Sequence, residues 1–169
     1  MAGRILRSSD YQRMPWKNGG GVTAEIWKAT APDGAMLWRL SIADVAGDGP
    51  FSAFPGIDRW IMVIEGKGME LRISDLGTRR VERPFEPLAF SGDAKTDCRL
   101  INGPIRDFNF MVARDHAQGD LRGRESVGDA WGLGLNSGSS EVSVASPWPW
   151  PNEQAQPPAR GRRGARKYA

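Results

Sequence analysis

The chain has 169 residues, of which 25% are charged and 40% are hydrophobic, an ordinary balance for a globular protein. Five of the last ten residues are basic and supply the net charge of +3, so the charge does not predict nucleic-acid binding. One cysteine, Cys98, excludes an internal disulfide, and one histidine, His116, excludes a metal site built from several imidazoles. The sequence shows no secretory signal and no apolar run of membrane length, so we expect a cytoplasmic protein without a membrane partner.

Short strands account for the chain up to residue 114. Residues 21–29 and 36–45 alternate between apolar and polar side chains, which is typical of half-buried strands. Residues 58–73 contain two apolar runs joined by Glu65–Gly68, which predicts a hairpin. Two further strands are predicted at 96–103 and 106–114, with turn residues between the segments and no long amphipathic helix. The pattern predicts an all-β sandwich or barrel.

The composition changes near residue 112. All six Phe, all six Met and all nine Ile lie at or before Met111, and the rest of the chain is rich in Gly, Ser, Pro and Arg. Such a segment buries little apolar surface against the entropy of ordering itself. We therefore expect a β-barrel lobe over residues 1–114 and a largely disordered, low-complexity tail over 115–169. Within the tail only residues 140–146 look like a strand, and 147–151 read as an extended, proline-fixed piece.

A polar set stands out in this apolar β context. Three consecutive glycines allow backbone N–H groups to converge on an anion, and a nearby Lys or Arg supplies charge. The alternative is that these residues are solvated surface charges without a common ligand. The set consists of Lys17 and Asn18 before the glycines, Arg39 and Ser41 on one strand face, Arg59, and the cluster Arg106, Asp107 and Asn109.

Four motifs carry a resemblance to a known family. The stretches "RMPWKNGGGVTAEI", "WRLSIADVAGDGPFSAFPGIDR", "EGKGMEL" and "GPIRDFNFM" resemble the HutD/Ves family of the RmlC-like cupin superfamily. The resemblance implies a jelly-roll cupin barrel that forms the first lobe of a bicupin, with a degenerate or disordered second lobe in this chain. It also implies that the two cupin motifs lack their metal ligands, so no metal or other cofactor is expected. The family is associated with bacterial histidine utilisation.

The function expected from the residues and the resemblance is non-enzymatic binding of a small carboxylate, urocanate or formylglutamate, that moderates histidine utilisation. Two alternatives stay open: a metal-independent isomerase or lyase with Asp107 or Glu25 as general base, and a non-functional truncated or frame-shifted remnant. The oligomeric state is left open. The expected ligand-binding residues are Trp16, Lys17, Asn18, Gly20, Arg59, Arg106 and Asn109.

Overall fold

A computed structural model describes residues 6–116, 119, 121–124, 131–137 and 140–146 of the chain. The described residues form one turn of 3-10 helix, Ser8–Asp10, and thirteen strands. The strands are β1 (Gln12–Pro15), β2 (Gly21–Thr30), β3 (Met36–Val45), β4 (Gly49–Pro50), β5 (Ile57–Glu65), β6 (Met69–Ile73), β7 (Gly77–Val81), β8 (Leu88–Ser91), β9 (Thr96–Leu100), β10 (Ile105–Ala113), β11 (Leu121–Arg124), β12 (Trp131–Ser137) and β13 (Ser140–Ser146).

Two antiparallel sheets form the body of the fold. The larger has the strand order β1-β2-β3-β10-β5-β8, and the smaller has the order β4-β9-β6-β7. From β3 to β10 the chain passes back and forth between the sheets, which is the double-sheet arrangement of a jelly roll. The prediction of an all-β, cupin-type jelly roll is confirmed. Its place as one lobe of a bicupin stays a prediction.

The main apolar core lies between the two sheets. Alternate residues of each strand point inward, so each sheet contributes every second side chain. The inward residues have little or no exposure, which is the close packing expected of a protein interior. The larger sheet supplies Ala43, Val45, Ile61, Val63 and Ile105, and the smaller supplies Met69, Leu71, Ile73, Val81 and Cys98.

The central strands of the larger sheet are also buried on their outer face. There, Leu40, Met62, Phe108 and Phe110 belong to a second apolar cluster and are at most 1% exposed. Leu121 of β11 packs against the same cluster. Strand β10 is therefore covered on both faces, and six of its nine residues are apolar. Polar residues on such a strand need a specific reason to be there.

The predicted hairpin over residues 58–73 is wrong, although both of its strands exist. Strand β5 pairs with β10 and β8, whereas β6 pairs with β7 and β9 in the other sheet. The connection crosses between sheets through Gly66 and Gly68, whose φ angles are +99° and +104°. A Cβ at Gly68 would lie 2.6 Å from the carbonyl oxygen of Val81. The two glycines thus allow the chain to pass from one sheet to the other and do not form the tight turn of a hairpin.

The region after residue 116 contains a third sheet of order β11-β12-β13. Strand β13 coincides with the segment predicted at 140–146, whereas β11 and β12 were not expected from the Gly-rich sequence. The proline-fixed piece at 147–151 and the basic residues near the C-terminus lie outside the described residues. The boundary at residue 114 and the disorder of the tail stay predictions. Among the described residues, no helix is long and apolar enough to cross a membrane.

Candidate functional site

Polar residues occupy one end of the inner face of the larger sheet. The strand register places them in three rows across β3, β10 and β5. Because alternate side chains share a face, all three rows point inward, and their polar character decreases toward the core. The rows are Arg39, Met111 and Arg59; then Ser41, Asn109 and Ile61; then Ala43, Asp107 and Val63.

These rows form the floor of a cavity of about 540 Å³. Two segments complete its walls: residues 15–18, which lead into β2, and residues 50–54, which follow β4. The second segment carries Phe51 and Phe54 and therefore brings aromatic rings to a largely polar floor. The volume lies in the range of small-molecule sites, about 300–1,000 Å³.

Arg59 is the most deeply buried of the three cationic side chains that line the cavity among the described residues. It is 5% exposed, and its Nη2 donates to Oδ1 of Asn109 at 2.9 Å. Its Nη1 donates weakly to the carbonyl oxygen of Ser52 at 3.4 Å. Burial lowers the pKa of Arg59 to about 10, with Asp107 opposing the shift and Arg39 adding to it. The guanidinium stays charged at neutral pH, so its charge is held inside the protein.

Aromatic rings surround the Arg59 guanidinium. Its Cζ lies 4.9 Å from the ring centroid of Phe90, 5.4 Å from that of Phe54 and 5.5 Å from that of Phe51. Cation–π attraction partly replaces the lost hydration of the charge, by about 0.5–2 kcal/mol per contact. The rings cover the group without accepting its N–H hydrogens in ordinary hydrogen bonds. Within the described residues, Nε of Arg59 is buried and has no hydrogen-bond partner.

Asp107 lies below Arg59 and is connected to it through Asn109. It is 1% exposed, and Oδ1 of Asp107 accepts a hydrogen bond from Nδ2 of Asn109. The neighbours of Asn109 determine the orientation of its amide. Arg59 can only donate hydrogen bonds, so the amide oxygen of Asn109 must face the guanidinium. Burial raises the pKa of Asp107 to about 7, against the lowering influence of Arg59 and Asn109, and nearby Asp44 adds to the rise. Asp107 therefore changes charge near neutrality.

Arg39 supplies a second guanidinium to the cavity. Its Cζ lies 5.6 Å from the ring centroid of Phe54, and burial lowers its pKa. Its Nε is also buried and lacks a hydrogen-bond partner among the described residues. Unpaired buried donors are rare in proteins and costly, typically about 1–3 kcal/mol each. Two such donors belong to arginines that line one cavity.

The upper wall of the cavity comes from the segment before the glycines. Trp16 is partly buried, and its Nε1 donates to Oγ1 of Thr23 at 2.8 Å. This hydrogen bond fixes the indole against β2. Lys17 and Asn18 are exposed and line the same cavity, with Asn18 Oδ1 accepting from the backbone N–H of Gly20 at 3.0 Å. Lys17 thus contributes a solvated positive charge at the opening.

The three glycines have different structural requirements. Gly19 has a φ of +71°, a conformation that side chains with a Cβ rarely adopt. A Cβ at Gly21 would lie 2.5 Å from the carbonyl oxygen of Asp44 and 3.1 Å from the Trp16 ring. At Gly20 the added atom would meet only the Asn18 side chain, at 3.3 Å. Positions 19 and 21 therefore require glycine, and position 20 does not. The residue expected from the sequence to belong to the ligand-binding set was Gly20.

Five of the seven residues expected to bind the ligand line this cavity, namely Trp16, Lys17, Asn18, Arg59 and Asn109. Gly20 and Arg106 do not. Arg106 lies on the opposite face of β10, where it pairs with Asp44 at 2.6 Å and with Glu65 at 3.0 Å. The period of two in a strand separates Arg106 from its neighbour Asp107. We therefore leave Arg106 out of the proposed site.

The expected site lacked several residues that the structure brings to the cavity. Arg39 and Ser41 stood out in the sequence by sharing a strand face, and Asp107 stood out as a candidate base, but none was included among the ligand-binding residues. Phe51 and Phe54 gave no signal as site residues, because nothing in a Pro/Gly-rich segment tells which strand it will cover. The fold places both rings over Arg59.

The remaining reactive side chains lie apart from the cavity. Cys98 is 5% exposed in the core, and burial raises the pKa of its thiol to about 12. His116 is exposed after the end of β10. Among the described residues, no group of three or more His, Cys, Asp or Glu side chains is arranged to hold a metal ion.

Comparison with known proteins places the chain in a family. The sequence profile of the HutD family matches residues 8–144. The chain belongs to the HutD family. The match extends past residue 114 into the region of β11, β12 and β13, farther than the resemblance of the four sequence motifs.

Individual relatives are similar to this chain over about two thirds of its length or more. An uncharacterized 21.2 kDa protein from the hutC 3′ region of Pseudomonas putida is 47% identical over 112 residues, which are 65% of this chain and 58% of that protein. Protein Ves of Citrobacter koseri is 36% identical over 117 residues, 67% of this chain and 61% of Ves. The structure of HutD from Pseudomonas fluorescens SBW25 in a formate condition has a TM-score of 0.68 and 44% identity, over 73% of this chain and 67% of that one. The chain thus spans about three fifths of the length of the curated relatives it matches.

Proposed function

We propose that the cavity binds a small carboxylate and that the protein moderates histidine utilisation by binding such a compound without converting it. The observation that carries the proposal is the buried guanidinium of Arg59, whose Nε has no hydrogen-bond partner among the described residues. Urocanate and formylglutamate both carry a carboxylate and are the candidate ligands.

A bound anion would supply the counter-charge and the hydrogen-bond acceptor that Arg59 lacks among the described residues. Burying a charged group is costly unless it is paired and hydrogen-bonded. Asp107 provides only partial compensation, because it contacts Asn109 and not Arg59 directly, and because burial disfavours its charged form. A carboxylate matches the planar edge of a guanidinium with two parallel hydrogen bonds. Three phenyl rings lie with their centroids within 5.5 Å of the Arg59 Cζ and supply no hydrogen-bond acceptor that competes with a carboxylate.

Family membership supports the physiological part of the proposal. One relative takes its name from the hutC region and another is named HutD, and the family is associated with histidine utilisation. Because the chain covers only part of these relatives, the regulatory role rests on the cavity and on the family together. The cavity itself lies entirely within residues 15–111, inside the matched region.

A second candidate function, a metal-independent isomerase or lyase, draws support from Asp107. Its pKa of about 7 suits a general base at neutral pH, and it lies in the cavity. Glu25, the other base considered from the sequence, does not line the cavity and pairs with Lys28 at 3.7 Å. An enzyme predicts consumption of the ligand and a bell-shaped pH profile that is lost in Asp107→Asn.

The proposal is tested by thermal unfolding with urocanate, formylglutamate or histidine at increasing concentrations. A ligand present at 100 times its dissociation constant stabilises the native state by about 2.7 kcal/mol. For a chain of this length that corresponds to a rise in Tm of roughly 5–10 °C. We expect one carboxylate to raise Tm selectively, Arg59→Met to abolish the rise, and Lys17→Ala to reduce it.

Arg106→Met is the matched control, because it removes an arginine from the opposite face of the neighbouring strand and leaves the cavity intact. An equal loss of the ligand effect in this variant would contradict the assignment of the site. Chromatography of the ligand after long incubation separates binding from turnover. A cooperative transition that no carboxylate shifts argues against the proposal, and the lack of any cooperative transition favours the remnant interpretation.

A further inference from the structure

A continuous chain of hydrogen bonds leads from Arg59 into the interior of the protein. Nη2 of Arg59 donates to Oδ1 of Asn109, and Nδ2 of Asn109 donates to Oδ1 of Asp107. The three side chains are 5%, 6% and 1% exposed, in that order. Asn109 and Asp107 share the inward face of β10 because they are two residues apart. One amide therefore links the guanidinium at the cavity to a carboxyl that is almost inaccessible to water.

Asn109 is the principal hydrogen-bond partner of Arg59 among the described residues. The other contact of the guanidinium, from Nη1 to the carbonyl oxygen of Ser52, is long at 3.4 Å, and Nε has no partner in this part of the chain. The amide satisfies both of its neighbours in one orientation, with its oxygen toward Arg59 and its nitrogen toward Asp107. Asn109 therefore determines where the guanidinium lies.

Asp107 is the one acidic side chain among the described residues that line the cavity, whereas three lining side chains are cationic. The strands packed against Asp107 offer no other acid at the same level. Its register partners are apolar, Ala43 on β3 and Val63 on β5. From the smaller sheet, Cys98 is influenced by the charge of Asp107, and the thiol pKa of about 12 keeps this group neutral.

Arg59 and an anion bound to it act on Asp107 in opposite directions. Arg59 favours the ionised carboxyl, whereas burial and Asp44 favour the neutral one. An anion on Arg59 would cancel the first influence and would add a like charge to the same cavity. The repulsion is removed when the Asp107 carboxylate takes up a proton from solvent, and no covalent bond of the ligand changes in this step.

We propose that Asn109 positions Arg59 for the anion and that Asp107, acting through Asn109, takes up a proton when the anion binds. The inference rests on the proposed function, because it adds regulation by pH to the same cavity. Asn109 and Asp107 are positioning residues, since Arg59 is the group that contacts the ligand. Binding that is coupled to proton uptake weakens as the pH rises.

Calorimetric titration of the whole chain with formylglutamate counts the protons directly. The binding enthalpy is measured at one pH in several buffers that contain neither carboxylate nor phosphate. Its slope against the ionisation enthalpy of the buffer equals the number of protons taken up. Because the pKa of Asp107 is about 7, roughly half of the free protein lacks the proton at pH 7. We therefore expect an uptake approaching about 0.5 proton at pH 7 and less than about 0.1 at pH 5.5.

Three variants separate the roles of the residues. Asp107→Asn cannot take up the proton, so its uptake should fall below about 0.1 at pH 7. Glu65→Gln is the matched control and should keep the wild-type uptake, because Glu65 pairs with Arg106 outside the cavity. Asn109→Leu should weaken binding roughly tenfold, because Arg59 loses its principal partner. It should also lower the uptake at pH 7, because Asp107 loses a hydrogen bond that favours its charged form. Thermal unfolding without ligand verifies that each variant is folded, and Asn109→Ala replaces Asn109→Leu if the latter is not.

Binding of formylglutamate without proton uptake at pH 7 would overturn this inference and leave the proposed carboxylate site standing. Uptake that persists in Asp107→Asn would exclude Asp107 as the acceptor, and unchanged affinity and uptake in Asn109→Leu would exclude Asn109 as the positioning residue. If urocanate binds and formylglutamate does not, the difference in uptake between wild type and Asp107→Asn decides in the same way, because the imidazole of the ligand titrates with both proteins. Failure of both carboxylates to bind would overturn the proposed function and this inference with it.

Discussion

Replacing Asp107 by Asn should change how the stability of the protein depends on pH. Burial raises the pKa of Asp107 from its ordinary value of 3.8 to about 7 in the folded protein. Between these values the unfolded chain has lost the proton and the folded protein keeps it, so the folded state binds more protons and stability falls as pH rises. The contribution is fully present below the lower pKa and is lost as the pH passes through 7.

The size of the effect follows from linkage. Between pH 5 and pH 8 this one group should lower the free energy of unfolding by about 2.5 kcal/mol. For a chain of this length, that equals a fall in Tm of roughly 5–10 °C. Asn has the shape of the protonated acid and can still accept the hydrogen bond from Asn109. The variant should therefore lack this fall and should be more stable than the wild type at pH 8.

Urea unfolding at pH 5, 6, 7 and 8 measures the prediction as the difference between wild type and variant. This difference cancels the titration of all other groups that the two proteins share. Asp75→Asn, at an exposed position in the turn after β6, is the control and should leave the wild-type pH dependence unchanged. A difference between wild type and Asp107→Asn that stays constant over this range would refute the argument that burial holds the proton on Asp107.

Two further predictions concern the glycines and the ligand. Gly21→Ala should lower the free energy of unfolding by about 1–3 kcal/mol, because its Cβ would lie 2.5 Å from a backbone oxygen. Gly20→Ala should be nearly neutral. Denaturant unfolding of both variants measures the two effects, and equal effects would contradict the prediction. Formylglutamate affinity should fall several-fold from pH 6 to pH 8, because an anion on Arg59 offsets the influence that lowers the pKa of Asp107 and so favours its protonated form. In Asp107→Asn the calorimetric Kd should be independent of pH over this range.

The larger strands could be predicted from the sequence because their alternation is regular. In β3 the predicted faces are correct: Trp38, Leu40 and Ile42 pack in the outer apolar cluster, whereas Arg39 and Ser41 line the cavity. The sheet to which each strand belongs could not be predicted in this way. Alternation defines a face and not a partner, so the two apolar runs on either side of Gly66 were assigned to one hairpin.

The candidate site was predictable to the extent that polar residues interrupt apolar strands. Arg59 and Asn109 are conspicuous because they replace expected core residues. Arg106 appeared equivalent to Asn109 in the sequence, yet an odd spacing along the strand sends the two side chains to opposite faces. The rings of Phe51 and Phe54 depend on the path of a segment with little regular structure, and local pattern does not specify such a path.

The two faces of strand β10 have different roles: the outward face packs in an apolar cluster, and the inward face lines the cavity. Its outward residues Phe108, Phe110 and Val112 hold the strand in register, because a shift by one residue would send all of them into the cavity. The inward residues Asp107, Asn109 and Met111 are therefore not needed to set the register of β10 with its neighbouring strands. Substitutions at these three positions can change the charge and shape of the cavity while the fold stays fixed. Single side-chain changes at these positions can therefore alter the cavity without altering the register of the strand.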